Sequence, residues 1–94
     1  MLSRLLDVMR KRASWMKPAD DPILEYVRDA GEVNPAVIAR NTDLHRKYVS
    51  RRCGTLAEYG LFEALGEGYY RITETGTRYL NEEIDADELE TDRE

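Results

Sequence analysis

The sequence predicts a mainly α-helical domain closed by one small β-hairpin, an α+β fold. Three observations predict it. Apolar residues recur at helical spacing between proline starts and glycine stops. Two short alternating runs flank Gly66-Glu67-Gly68, the signature of a hairpin. A chain of 94 residues has room for a single thin core, because a domain this short leaves roughly a third or more of its unfolded surface exposed.

The elements follow in order. Residues 2–16 place Leu2, Leu5, Leu6, Met9, Ala13 and Met16 on one stripe, with Arg4, Arg10, Lys11 and Arg12 mostly off it, so a basic amphipathic helix is expected. Lys17-Pro18 interrupts it, since proline lacks the backbone donor and restricts the residue before it. Asp21-Pro22 then reads as N-cap and first helical residue, with Ile23, Leu24 and Val27 on the apolar face and Gly31 as the stop. Asn34-Pro35 repeats the same start for a short helix through Arg40, and Asn41-Thr42-Asp43 reads as a turn. A long helix is expected over residues 44–59, ending at Gly60, with Val49, Cys53, Leu56 and the stem of Arg52 inward. Residues 61–65 and 69–73 form the hairpin strands, with Tyr70 and Ile72 inward, and Thr73 caps a last helix through Gly76, Tyr79 and Leu80.

Helix, short helix, turn, long helix, hairpin, helix is the order of a winged helix-turn-helix. The expected division is an N-terminal helix over residues 1–17, the winged domain over 18–81 and an acidic, disordered tail over 82–94. The net charge of −5 at first argues against a nucleic-acid partner. The tail, however, carries eight carboxylates against Arg93, a local charge of −7, which leaves residues 1–81 at +2. Two stretches, residues 1–17 and 40–52, each hold five basic residues against one aspartate, and there phosphate would be attracted.

If residues 44–59 form the second helix of a helix-turn-helix, it enters the major groove with its N-terminal and outward side chains. With Val49, Cys53 and Leu56 inward, His45, Arg46, Lys47, Ser50 and Arg51 face outward. Arginine can grip guanine bidentately, and serine or lysine can reach a base or a phosphate. Tyr48 suits either packing or phosphate contact. At the hairpin, Arg71 and the hydroxyl of Tyr69 could add attraction, but Glu67 at the tip would repel phosphate, and the hairpin would equally serve to cover the core. A basic outward face also suits plain solvation; the capped helix before it and the glycine hairpin after it favour double-stranded DNA.

Other functions lose ground on composition. No apolar run approaches the roughly 18 residues of a membrane span, and the first residues lack a signal-type apolar stretch, so a cytoplasmic protein without a membrane partner is expected. One cysteine and one histidine can supply neither a disulfide nor a structural zinc site. Cys53, on the apolar side, reads as a small inert core residue. No phosphate-cradling glycine loop, nucleophile elbow or triad is present, so no enzyme, cofactor or small-molecule effector is expected. One reading helix spans too few base pairs for a unique address, so a homodimer is expected. Its candidate interface is the apolar stripe of residues 2–16 or the last helix, although the stripe could as well pack on its own domain. The alternative function is a winged-helix module that binds a partner protein through the same helix.

Particular runs also carry a resemblance. Trp15-Met16-Lys17-Pro18-Ala19-Asp20-Asp21-Pro22-Ile23-Leu24-Glu25, Asn34-Pro35-Ala36-Val37-Ile38-Ala39-Arg40-Asn41, Tyr48-Val49-Ser50-Arg51-Arg52, Glu58-Tyr59-Gly60-Leu61 and Gly68-Tyr69-Tyr70-Arg71-Ile72-Thr73 together resemble small haloarchaeal winged-helix proteins related to the repressor of the halophage phiH. The resemblance spans roughly residues 15–80 and implies a DNA-binding, repressor-like transcriptional regulator of a halophile. Cys53 stands where such proteins are expected to carry leucine. Three lysines, eleven arginines and nineteen carboxylates make an acidic, lysine-poor chain in keeping with that habitat, as would an ordinary acidic tail.

Overall fold

The structure, a computed structural model, describes residues 15–85 and 89. The expected N-terminal helix, Trp15 and Met16 apart, lies outside the described residues, as does most of the acidic tail. The described residues hold four helices and one antiparallel hairpin: α1 (Asp20–Ala30), α2 (Pro35–Thr42), α3 (Arg46–Glu58), β1 (Phe62–Gly66), β2 (Tyr69–Ile72) and α4 (Glu74–Leu80). None of these helices is long and apolar enough to cross a membrane.

Helix α1 buries Ile23, Leu24 and Val27, one stripe at helical spacing. Gly31 ends it at φ 92°, a backbone setting that side-chain-bearing residues rarely adopt. The start differs from the expected one. Asp21 is not the N-cap: the helix begins two residues earlier, at Asp20 after Ala19, which makes no side-chain cap. Asp20 is committed elsewhere, accepting the Lys17 backbone N–H at 2.9 Å, while Asp21 accepts the Tyr79 hydroxyl at 2.9 Å. Pro22 therefore falls within the first turn, where its missing donor costs nothing.

Helix α2 starts as its sequence dictates. Asn34 is the N-cap, its side-chain oxygen accepting the Val37 N–H at 3.0 Å, with Pro35 following. It runs two residues beyond Arg40, because Asn41 Nδ2 donates to the Val37 carbonyl at 2.9 Å and Thr42 Oγ1 donates to that of Ile38 at 2.7 Å. The turn thus lies later than expected, at Asp43 (φ 61°, ψ 26°); aspartate tolerates this left-handed setting. Leu44 and His45 lie outside α3, and His45 holds the extended backbone of an N-cap position.

The C-terminus of α3 closes on Gly60 (φ 85°), with Leu61 N–H donating to the Leu56 carbonyl at 2.9 Å and Gly60 N–H to that of Ala57 at 3.1 Å. Leu56 and Leu61 are both fully buried, the apolar contact that accompanies this type of helix stop. The hairpin turns on two residues, Glu67 (φ 56°) and Gly68 (φ 84°), rather than on Gly66-Glu67-Gly68, and a bulge between Ala64 and Gly66 shifts the register. Val33 adds a bridge on the other side of β2, exchanging backbone bonds with Tyr70 at 3.1 and 2.9 Å. This third strand position, absent from the sequence reading, ties the α1–α2 connection to the hairpin.

The core lies between α1, α3 and the hairpin and includes Ile23, Leu24, Val27, Ile38, Val49, Leu56, Leu61 and Tyr79. Met16, placed by sequence on a candidate dimer stripe, is 4% exposed within this core. Trp15, Ile84 and Leu89 pack partly buried against it. Thr73 joins three elements: its hydroxyl donates to the Gly60 carbonyl at 2.6 Å and accepts the Gly76 N–H at 3.0 Å, and its backbone N–H donates to Leu61 at 3.0 Å.

Two glycines give opposite expectations. A Cβ on Gly76 would stand 2.5 Å from the Leu61 carbonyl oxygen and 2.6 Å from Ile72 Cγ1, so Gly76→Ala is expected to cost about 1–3 kcal/mol by overpacking. A Cβ on Gly54, inside α3, meets nothing within 4 Å, so Gly54→Ala is expected to gain about 0.5–1 kcal/mol from helix propensity. Thermal denaturation of the two variants checks the opposite signs.

Candidate nucleic-acid interface

Helix α3 divides its residues between two faces. Val49, Cys53 and Leu56 are completely buried, while His45, Arg46, Lys47, Ser50 and Arg51 are exposed. The structure therefore exposes together the four sequence-predicted residues of this helix and His45 at its N-cap. Within it, Arg46 and Ser50 lie four residues apart on one row, and Lys47 and Arg51 on the next. Arg46 and Ser50 line a cleft of about 260 Å³ whose other walls include Asn34 at the start of α2 and Glu67 and Gly68 at the hairpin tip. Tyr48 is half-buried.

The hairpin departs from its expected role. Tyr69 is 43% exposed and offers its hydroxyl. Arg71, by contrast, is held across the strands by Glu63, its register partner, with Nε and Nη2 at 2.9 and 2.8 Å from Oε1. This exposed pair is weak in energy, yet it places a carboxylate beside the hairpin's single cation. With Glu67 at the tip, the hairpin presents more negative charge than positive.

Pairing of charges singles out the helix-turn-helix. Arg28 meets Asp29, Arg52 meets Asp20, Arg71 meets Glu63 and Arg78 meets Glu83, and Lys17 also has a partner. Among the described residues, the cations whose side chains have no partner are Arg40, Arg46, Lys47 and Arg51, all on α2 and α3 and all exposed. Arg40, on the last turn of α2, was not among the candidate residues read from sequence. Its signal was its membership of the basic stretch of residues 40–52.

Beneath this surface lies a buried ion pair. Arg52 is 7% exposed and Asp20 fully buried. Arg52 Nε donates to Asp20 Oδ1 at 2.9 Å, and Nη2 to Oδ2 at 2.8 Å and to the Trp15 carbonyl at 2.9 Å. The Asp20 hydrogen bond raises the Arg52 pKa above its ordinary value, against the opposing pull of burial. Sequence placed only the Arg52 stem inward. An arginine in phase with Val49, Cys53 and Leu56 was the sign that a buried carboxylate had to meet it. Next to it, burial pushes the Cys53 thiol up to about 12, with the Asp20 charge adding to the shift. No group of three or more His, Cys, Asp or Glu side chains able to hold a metal ion occurs among the described residues.

Comparison with known proteins agrees with this fold. The sequence model of a family described as "Winged helix-turn-helix phage repressor" matches residues 9–92. The repressor protein of Halobacterium phage phiH is 38% identical over 87 residues, 87% of this chain and 98% of that one. The crystal structure of the PhiH1 repressor-like protein from Haloarcula marismortui superposes with a TM-score of 0.76 at 39% identity, covering 82% of this chain and 90% of that one. That of T. acidophilum IdeR, at 23% identity and a TM-score of 0.63, covers 70% of this chain and 33% of its own and shares the fold.

Two outcomes are expected. Glu63→Gln frees Arg71 and is expected to strengthen binding to any duplex while steepening its salt dependence by up to about one unit, read from binding titrations across salt. Because the folded thiol ionises near 12, well above a free cysteine at roughly 8.5, its stabilising contribution is complete below the unfolded pKa and is lost as pH rises toward 12. Cys53 is accordingly expected to resist alkylation at pH 8 until the protein is unfolded, as mass spectrometry of iodoacetamide-treated samples would show.

Proposed function

The chain belongs to the family of winged helix-turn-helix phage repressors, and from that premise we propose that it is a sequence-specific repressor that reads double-stranded DNA with α3 in the major groove. The observation that carries the reading is the confinement of the unpartnered cations of the described residues to α2 and α3. Described residues that pair their other cations and leave these four open form a surface suited to polyanion.

Roles follow from position. Lys47, Ser50 and Arg51 lie on the outward rows of α3 and reach base edges, where a bidentate arginine contact is worth about 1–3 kcal/mol of discrimination. Arg46, in the cleft beside the start of α2, and Arg40 meet phosphate, which fixes register without reading sequence. His45 flanks the helix start, and Tyr69 contributes a hydroxyl to the backbone. Arg71 contributes less than its sequence position suggests, because Glu63 holds it.

A homodimer on a two-fold-symmetric site completes the proposal, since one α3 covers only a half-site. The acidic, lysine-poor composition and the sources of the relatives, a phage of Halobacterium and Haloarcula marismortui, support a cytoplasmic regulator working at high salt.

Selection of bound duplexes from a random DNA pool, at high and at moderate salt, tests the reading. Enrichment of a symmetric site is expected; no enrichment at either salt would replace it with a protein-binding winged-helix module. On the enriched site, Arg51→Ala is expected to lower discrimination against random DNA by about 1–3 kcal/mol. Arg40→Ala is expected to weaken both duplexes equally and to flatten the salt dependence by about one unit.

A further inference from the structure

We propose that Arg52, gripped by Asp20, is the positioning residue that sets the rotation of α3 about its own axis, so that sequence discrimination depends on a side chain that never meets DNA. The inference rests on the DNA-reading function proposed above. Arg52 directly follows Arg51 in α3, but where Arg51 is exposed Arg52 is buried.

The apolar contacts of α3 hold it without fixing its roll. Val49, Cys53 and Leu56 pack by non-directional attraction, which changes little when a helix turns by a few degrees. A guanidinium–carboxylate fork has one good geometry. Here it makes two bonds to one buried carboxylate and a third to the Trp15 carbonyl. Asp20 is itself fixed, because its Oδ2 also accepts the Lys17 N–H at 2.9 Å. A roll of α3 would break several charge-assisted bonds in a place water does not reach.

Stability alone gives no reason for the pair. Desolvating two charges consumes most of what their attraction returns, and well-packed apolar residues in their place are often as stable or more so. A small core that nevertheless carries such a pair gains direction from it. The second grip points the same way: the Trp15 ring stacks on that of Tyr59, centroids 3.9 Å apart and planes 8° from parallel. The segment from Trp15 to Asp20 thus holds α3 at its middle through Arg52 and at its end through Tyr59.

The test compares full-length variants on the selected site and on random duplex. In the double variant Asp20→Leu with Arg52→Met, the melting temperature is expected to hold or rise and random-duplex affinity to stay near the wild-type value. The ratio of specific to random affinity is expected to fall at least about tenfold, the size of one lost base contact. Arg52→Lys keeps a buried charge beside Asp20 but not the fork, and should lose the ratio in the same way. A folded variant of either kind that keeps the wild-type ratio overturns the positioning role. A wild-type protein with no preference for any duplex overturns the DNA-reading function and this role with it, so the two failures are told apart by the wild-type measurement.

Discussion

Helix α3 has thirteen residues with which both to close a thin core and to present a surface, and the other elements are arranged around that double duty. Its inward row is nearly continuous: Val49, Arg52, Cys53 and Leu56 are all buried. The first helix lies against it through the Asp20–Arg52 pair, α2 is held in front of it by the Asp43 turn, and the hairpin leaves its C-terminus through Gly60 and Leu61. Each neighbour takes a share of the inward face and leaves the outward one open. The proposed reading surface is therefore what remains of α3 after the core has been built, and its shape is set from behind.

Charge follows the same division. An acidic chain can still offer a cationic surface if its cations are neutralised in place everywhere else, and four arginines here are each matched by a carboxylate at short range. Three of these pairs are exposed and add little to stability. Their effect is on the field: they remove competing positive patches, so that among the described residues the open positive charge is confined to the helix-turn-helix. The hairpin completes the pattern, since Glu63 and Glu67 make it a poor partner for phosphate, where many domains of this shape would be expected to grip the backbone.

Much of the architecture was legible because local chemistry and tertiary packing ask for the same thing at the same positions. Asn34-Pro35 starts a helix in any context, Gly60 stops one, and Thr73 caps the next, and each does so here. Sequence failed where a side chain had a distant claim on it. Asp21 looked like a cap but bonds Tyr79, 58 positions away in the chain. Arg52 looked like a stem but meets Asp20 across 32 positions. Asn41 and Thr42 looked like turn formers, and instead bond back to carbonyls four residues earlier and lengthen α2. The candidate surface was legible on α3 because outward positions follow from inward ones by periodicity. On the hairpin it was not, because Arg71 is decided by which residue of β1 lies opposite, and that depends on a bulge.

Ionic strength separates the two kinds of interaction on which the proposed DNA reading relies. The Debye length shrinks from about 10 Å at 0.1 M salt to about 3 Å at 1 M, so attraction between the four open cations and phosphate, and repulsion from Glu67, both fade as salt rises. The driving force of counterion release fades with them. Contacts at hydrogen-bond distance, and the buried fork behind them, are screened far less. On the proposed function, raising salt would strip away the part of binding that any duplex could satisfy and leave the part that depends on how α3 is turned. For a protein with few lysines and a net charge of −5, the proposed selectivity would rest on geometry built into the core rather than on the quantity of positive charge at the surface.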